Sequence, residues 1–190
     1  MAYLREILTD NHPTLRKVAK RVNPTEIADP LFQQLIDDMF ETQYAAPGIG
    51  LAAPQVGISK RLFTVDLQDD ENPNDGPLVV INPKFTTTEG EVDALEGCLS
   101  VPGYVGAVTR FEHVVCTGLD REGKKISLDA HGWFARVLQH EMDHLDGIIY
   151  TDKARNVRLA QTDDELEEAA KVEAEGAAAE RINAEVALAN

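Results

Sequence analysis

Apolar positions along the 190-residue chain change period several times, and each change marks an expected element. Leu31, Phe32, Leu35, Ile36, Met39 and Phe40 recur at helical spacing directly after Asp29-Pro30. A capping carboxylate followed by proline at the first helical position starts a helix, and the spacing turns all six residues toward a core. A second helix is expected from about Gly132 through Phe134-Ala135-Arg136-Val137-Leu138 to about Asp146, with Gly147 suited to the position just beyond its end. Between the two helices the pattern is that of strands. Segments 61–67 and 78–82 are short apolar runs, the second continuous enough to be buried, and 85–88 and 91–93 form shorter strands split at Gly90. His113–Leu119 and 125–130 alternate on either side of Asp120-Arg121-Glu122-Gly123, which predicts a hairpin. Cys116 falls on its inward face as a small core residue. Near the start, 3–24 holds a short strand or turn and then a basic helical piece over 15–21. The chain thus mixes helices with strands.

Composition sharpens this picture in two places. A chain of this length, 43% hydrophobic, suits one globular body. Its formal charge of −15 argues against strong binding to nucleic-acid phosphates or anionic membranes. Much of that charge lies in an Ala- and Glu-rich stretch that opens with the capping box Thr162-Asp163-Asp164-Glu165. The chain therefore divides into a catalytic body, 1–155, and an acidic helical tail, 156–190. Two cysteines, Cys98 and Cys116, need no disulfide. The first residues carry no signal-peptide pattern, and no apolar run approaches the roughly 20 residues of a membrane span. These features predict a cytoplasmic protein.

The chemistry centres on His140-Glu141-Met142-Asp143-His144, inside the second helix. Residues four apart lie on one helix face, so both imidazoles reach one metal ion, while Glu141 points beside them as a base. A surface helix that carries two histidines by chance is the plain alternative, but His131, His140 and His144 crowd three of five histidines into fourteen residues. A catalytic site needs a third protein ligand. The metzincin pattern would place a histidine where Tyr150 stands, and a thermolysin-type glutamate would come from the acidic tail, at Glu165, Glu167 or Glu168. Cys98, flanked by Glu96-Gly97 and Leu99-Ser100, is the better donor. Upstream, Gly48, Gly50 and Ala53 spell G-x-G-x-x-A, but the segment follows a helix and runs into Pro54, so a dinucleotide site is the wrong context. A tight loop that lets backbone approach a ligand fits better, with Gln55 presenting an amide at its end.

Three stretches together resemble the signature motifs of the peptide deformylases, in the family's order: Gly48-Ile49-Gly50-Leu51-Ala52-Ala53-Pro54-Gln55, Glu96-Gly97-Cys98-Leu99-Ser100 and Gln139-His140-Glu141-Met142-Asp143-His144. The resemblance covers roughly residues 3–155. It implies an α+β fold with sheets wrapped around a central H-E-x-x-H helix, and an enzyme that removes the N-formyl group from the initiator methionine of new polypeptides, releasing formate. It implies Fe2+ held by Cys98, His140 and His144, with Zn2+, Ni2+ or Co2+ able to take its place. Glu141 is then the general base, and the side chain of Gln55 and the backbone N–H of Leu99 stabilise the oxyanion. Glu96 stands behind the ligands, paired with Arg110. Gly48 and Gly50 line a cramped site, and Ile49, Trp133 and Val137 form its apolar wall. Two positions depart from the family: Val105 stands where some relatives carry a substrate-holding arginine, and Arg136 stands where an apolar residue lines the methionine pocket. The implied partner is the N-formylmethionyl nascent chain, near the ribosome; the rival readings are a thermolysin-type metalloprotease and a catalytically inactive binding module, against which every catalytic position is filled.

Overall fold

The computed structural model describes residues 2–46, 48–67 and 76–161. Two helices and eight strands carry the fold: α1 (Pro30–Ala45), β1 (Gly50–Ala52), β2 (Leu62–Val65), β3 (Leu78–Glu89), β4 (Val92–Glu96), β5 (Tyr104–Arg110), β6 (His113–Leu119), β7 (Lys125–His131), α2 (Gly132–Leu145) and β8 (Arg155–Leu159). The strands form two antiparallel sheets, one in the order β1-β2-β3-β6-β7 and one in the order β4-β5-β8. The expected α+β class is what forms.

α1 begins where the sequence places it. The Asp29 carboxylate accepts a hydrogen bond from the Leu31 amide, and Pro30 occupies the first turn. Phe32, Leu35, Ile36 and Met39 are buried against β1, β2 and β3. Leu31, beside buried Phe32, is not: it is 81% exposed and faces away from the core. The basic helical piece expected over 15–21 is also absent. Only a 3₁₀ turn, Pro13–Arg16, forms there. The backbone beyond it bonds outward instead, with Ala19 N donating to Leu145 O and Arg61 N donating to Lys20 O.

The two strands expected over 78–82 and 85–88 are one, β3, broken in register at Asn82-Pro83. Pro83 has no N–H to give the ladder, and Asn82 adopts a left-handed φ of 52°. Its side chain accepts from Val22 N and donates to Val22 O, which ties the irregularity to the N-terminal segment. The chain then turns at Gly90 into β4, which starts one residue later than expected and ends three later, long enough to carry Glu96. The hairpin β6–β7 forms as expected, and Asp120 Oδ1 accepts from the Glu122 and Lys124 amides to hold its turn. Cys116 is fully buried within it, and burial pushes its thiol up to about 11.

β5 and β8 were not foreseen. They pair with each other, and β8 runs to Leu159. Val105, the departure from the family pattern, is a fully buried residue of β5. The acidic loop within 68–75 and the tail from Thr162, including its capping box, lie outside the described residues.

α2 is the element both sheets meet. Ala135, Val137, Leu138 and Leu145 pack with Phe63, Val65, Val80, Val114 and Ala130 of the larger sheet. On the other side Arg136 donates to the carbonyls of Val108 and Val92 in the smaller sheet. The helix stops after Leu145, and Gly147 follows with φ of 75°. A side chain at Gly147 would press to 2.9 Å of the Arg16–Lys17 backbone, so conformation and space both require glycine.

Candidate active site

Helical spacing does at His140 and His144 what the sequence predicts: both rings leave one face of α2, their centroids 5.0 Å apart. The third member comes from the turn after β4. There Cys98 O accepts from Val101 N, and the Cys98 sulfur lies 3.3 Å from His144 Nε2. Ligand atoms of Cys98, His140 and His144 all lie within 4.8 Å of one another. This is the donor set of an open catalytic metal site, two imidazoles and one thiolate. Burial holds the His144 imidazole well below its ordinary value, in the neutral form that binds metal.

The histidine orientation is set from behind. Glu96 Oε2 lies 2.9 Å from His140 Nδ1, which leaves Nε2 for the centre. Glu96 is itself held by a bidentate Arg110, at 2.8 and 2.9 Å, and by Arg136 at 2.7 Å. Burial opposes its charge, but the bonds to Arg110 and His140 outweigh that and hold the carboxyl well below its usual range. Arg110 also reaches Asp143 at 2.5 Å, and Lys153 reaches the other Asp143 oxygen at 2.7 Å. The pair expected between Glu96 and Arg110 is thus the centre of a larger buried network.

Glu141 faces the loop before β1. A Cβ at Gly50 would collide with its carboxylate, lying only 2.9 Å from Cδ, so glycine makes room for that side chain. Burial pushes the Glu141 carboxyl up to about 7; Glu96 adds to this, while His140 and Arg110 oppose it. Its Oε2 is buried with no hydrogen-bond partner among the described residues. A native carboxylate oxygen in that position calls for a water or substrate proton.

Gln55 is fixed by its own loop: Oε1 accepts from Ala52 N at 2.8 Å, which directs Nε2 to Ser100 Oγ at 3.2 Å and the Cys98 sulfur at 3.6 Å. Leu99, beside Cys98, packs on the α1 core and stands over Gly48, where a Cβ would come within 2.7 Å of its Cδ1. Ile49, Trp133 and Val137 share one apolar cluster along α2. Sequence reasoning missed Arg136. Placed on the wall of the methionine pocket, it is instead 1% exposed and turned into the Glu96 network. Its position four residues before His140, on the same helix face, was the available signal. Asp143 and Ser100 were missed too, hidden inside motifs read for their neighbours.

Residues 4–160 match the family model for polypeptide deformylase. The chain belongs to the polypeptide deformylase family. A peptide deformylase from Symbiobacterium thermophilum is 52% identical over 180 residues, covering 90% of this chain and 80% of that protein. Among solved structures, a peptide deformylase from Legionella pneumophila superposes with a TM-score of 0.74 at 38% identity, over 89% of this chain and 92% of that one. A class I type b peptide deformylase from Acinetobacter baumannii, solved with Met-Ala-Ser bound, gives 0.75 at 32% identity, over 80% and 99%. The deformylase reaction follows from membership: this is a metal-dependent amide hydrolase that removes the N-formyl group from newly made proteins. No described helix is long and apolar enough to cross a membrane.

Proposed function

We propose that Cys98, His140 and His144 hold the working metal and that Glu141 is the general base acting on the formyl group of an N-formylmethionyl nascent chain. The observation that carries this is the convergence of a thiol and two imidazoles around one point, with a buried carboxylate oxygen beside it that no group among the described residues satisfies. A divalent ion in such a site supplies Lewis-acid chemistry, lowering the pKa of water toward about 7 and polarising a carbonyl. Glu141 takes the proton of the attacking water and returns it to the departing amine. Gln55 Nε2 and the Leu99 N–H donate to the oxyanion that forms on the former formyl oxygen. Glu96 keeps His140 in the tautomer that leaves Nε2 available. Gly48 and Gly50 keep the pocket narrow, admitting a formyl carbon that carries only hydrogen, and Ile49, Trp133 and Val137 receive the methionine side chain. The methionine-led tripeptide on the A. baumannii relative agrees with that pocket.

The metal in this reading is Fe2+, with Zn2+, Ni2+ or Co2+ as substitutes, since imidazole and thiolate accept all of them. The enzyme works in the cytoplasm, close to the ribosome, without strong nucleic-acid binding and without a membrane. The test is formate release from formyl-Met-Ala-Ser by the full chain loaded with each metal. Glu141→Gln retains one metal per chain and loses about 10²–10⁴ in rate. Cys98→Ser loses the metal. Metal retained by Cys98→Ser, or activity within tenfold of wild type for a metal-loaded Glu141→Gln, overturns the assignment. Iron is tested separately: in air the Fe2+ form decays faster than the Ni2+ form, through oxidation at the thiolate, and equal decay argues against it.

A further inference from the structure

A second group of metal-binding side chains stands on the edge of the larger sheet, apart from the catalytic centre. His113 of β6 and His131 of β7 are direct cross-strand partners, and Asp129 sits two residues before His131 on the same face of β7. The two imidazole rings stack 3° from parallel, their centroids 4.1 Å apart. Asp129 Oδ1 lies 2.7 Å from His113 Nε2 and 3.4 Å from His131 Nε2. One donor atom from each of the three lies within 4.8 Å of the others. On the far side of His113, Glu89 Oε2 lies 3.4 Å from Nδ1, a carboxylate that turns Nε2 toward Asp129.

Four tetrahedral ligands at about 2.0–2.2 Å from an ion lie about 3.4 Å from each other. The His131–Asp129 separation already has that value. The shorter His113–Asp129 contact is a hydrogen bond, which lengthens when an ion replaces its proton. The movement is easy, because Asp129 and His131 are 72% and 67% exposed. We propose that His113, Asp129 and His131 form a second site, for a divalent transition-metal ion of the Zn2+ class, with water completing its coordination. Two imidazoles and one carboxylate suit Zn2+, Ni2+ and Cu2+ over Mg2+ or Ca2+. His131 is also the residue that begins α2. The ion therefore joins two strands to the start of the catalytic helix, roughly 14 Å along the axis from His140 at 1.5 Å per residue. It is independent of the Cys98 centre and performs no chemistry there.

The experiment uses the full-length holoenzyme, titrated with Zn2+, with bound metal counted after removal of free ions. The double variant Asp129→Asn/His131→Ala is treated in parallel; both side chains are exposed, and melting curves check its fold. Wild type is expected to take up one more Zn2+ per chain than the variant, and its melting temperature to rise with Zn2+ where the variant's does not. Formate release without added Zn2+ is unchanged between them. Trp133, the single tryptophan, lies two residues after His131, so Cu2+ should quench its fluorescence in wild type and at least tenfold less effectively in the variant. Equal Zn2+ uptake by the two proteins, or equal quenching, overturns the proposal.

Discussion

At the scale of single residues, the deformylase centre depends on groups that carry out no chemistry themselves. Gly50 is one. Its missing side chain leaves the space that the Glu141 carboxylate fills. Gly50→Ala is therefore expected to displace the base by a fraction of an ångström while leaving metal content intact; kcat falls by about 10²-fold, as a 1 Å misplacement commonly costs. Formate release beside metal analysis checks this, and an unchanged kcat would show that Glu141 has room elsewhere. Arg136 is another. It shares the Glu96 carboxylate with Arg110 and His140, and it joins α2 to β4 and β5 through two carbonyls. Arg136→Met removes a buried charge and strands those acceptors. A broken buried pair costs about 3–5 kcal/mol, and the low end is expected because Arg110 still holds Glu96 at two points. Metal affinity should fall about tenfold as His140 loses its fixed ring orientation. Competition with a chelator measures that directly, and an affinity equal to wild type would confine Arg136 to stability.

At the scale of elements, the N-terminal segment is docked on α1 by one buried carboxylate. Tyr3 N and the Arg5 guanidinium both donate to Asp38, and Arg5 N donates to Thr42 Oγ1. Further along, the same segment touches the active-site loops: Leu8 N bonds to Gln55 O and Asp10 N to Ser100 O. Loss of Asp38 is therefore expected to loosen the support of Gln55. Burial disfavours the Asp38 charge, yet the Tyr3 amide, Gln34 and Arg5 outweigh it and hold its carboxyl below the ordinary 3.8. A lowered folded value means that this contribution is complete above 3.8 and disappears as pH falls through the lower folded value. Asp38→Asn should cost about 1.5 kcal/mol at neutral pH, the low end for bonds to a charged group because Arg5 is 31% exposed. Hydrogen exchange at residues 3–10 should accelerate in the variant at neutral pH; unchanged exchange would mean that the backbone bonds alone hold the segment.

At the scale of the whole molecule, charge is unevenly spread. From Asp163 onward the sequence carries Asp163, Asp164, Glu165, Glu167, Glu168, Glu173, Glu175, Glu180 and Glu185 against Lys171 and Arg181. A phosphate backbone repels such a segment, and screening weakens the repulsion as salt rises. Deleting 163–190 is expected to leave formate release from short peptides nearly unchanged. Ribosome binding should not weaken, and should strengthen at low salt. Co-sedimentation of full-length and truncated protein with ribosomes over a salt series measures this. Loss of co-sedimentation on truncation, at an unchanged melting temperature, would make the tail the docking element.

The sequence by itself determined that His140 and His144 share one face of α2, the start of α1, the β6–β7 hairpin and the three motifs that mark the family. Each rests on short-range regularity: a helical repeat of four, a capping pair, strict alternation around a turn. What only the tertiary structure decided rests on contacts between residues far apart in the chain. β8 acquires its strand character from β5, across some fifty residues, and carries no strong period of its own. The basic piece after Arg16 has helical composition, but its backbone groups find partners at Leu145 and Arg61 instead. Arg136 reads as a surface or pocket residue until β4 and β5 bring a carboxylate and two carbonyls to it, because a buried charge is admissible only where such partners converge. Likewise Cys98 is one thiol in a loop by sequence, and becomes part of a metal-binding triad because the turn after β4 sets its sulfur 3.3 Å from His144.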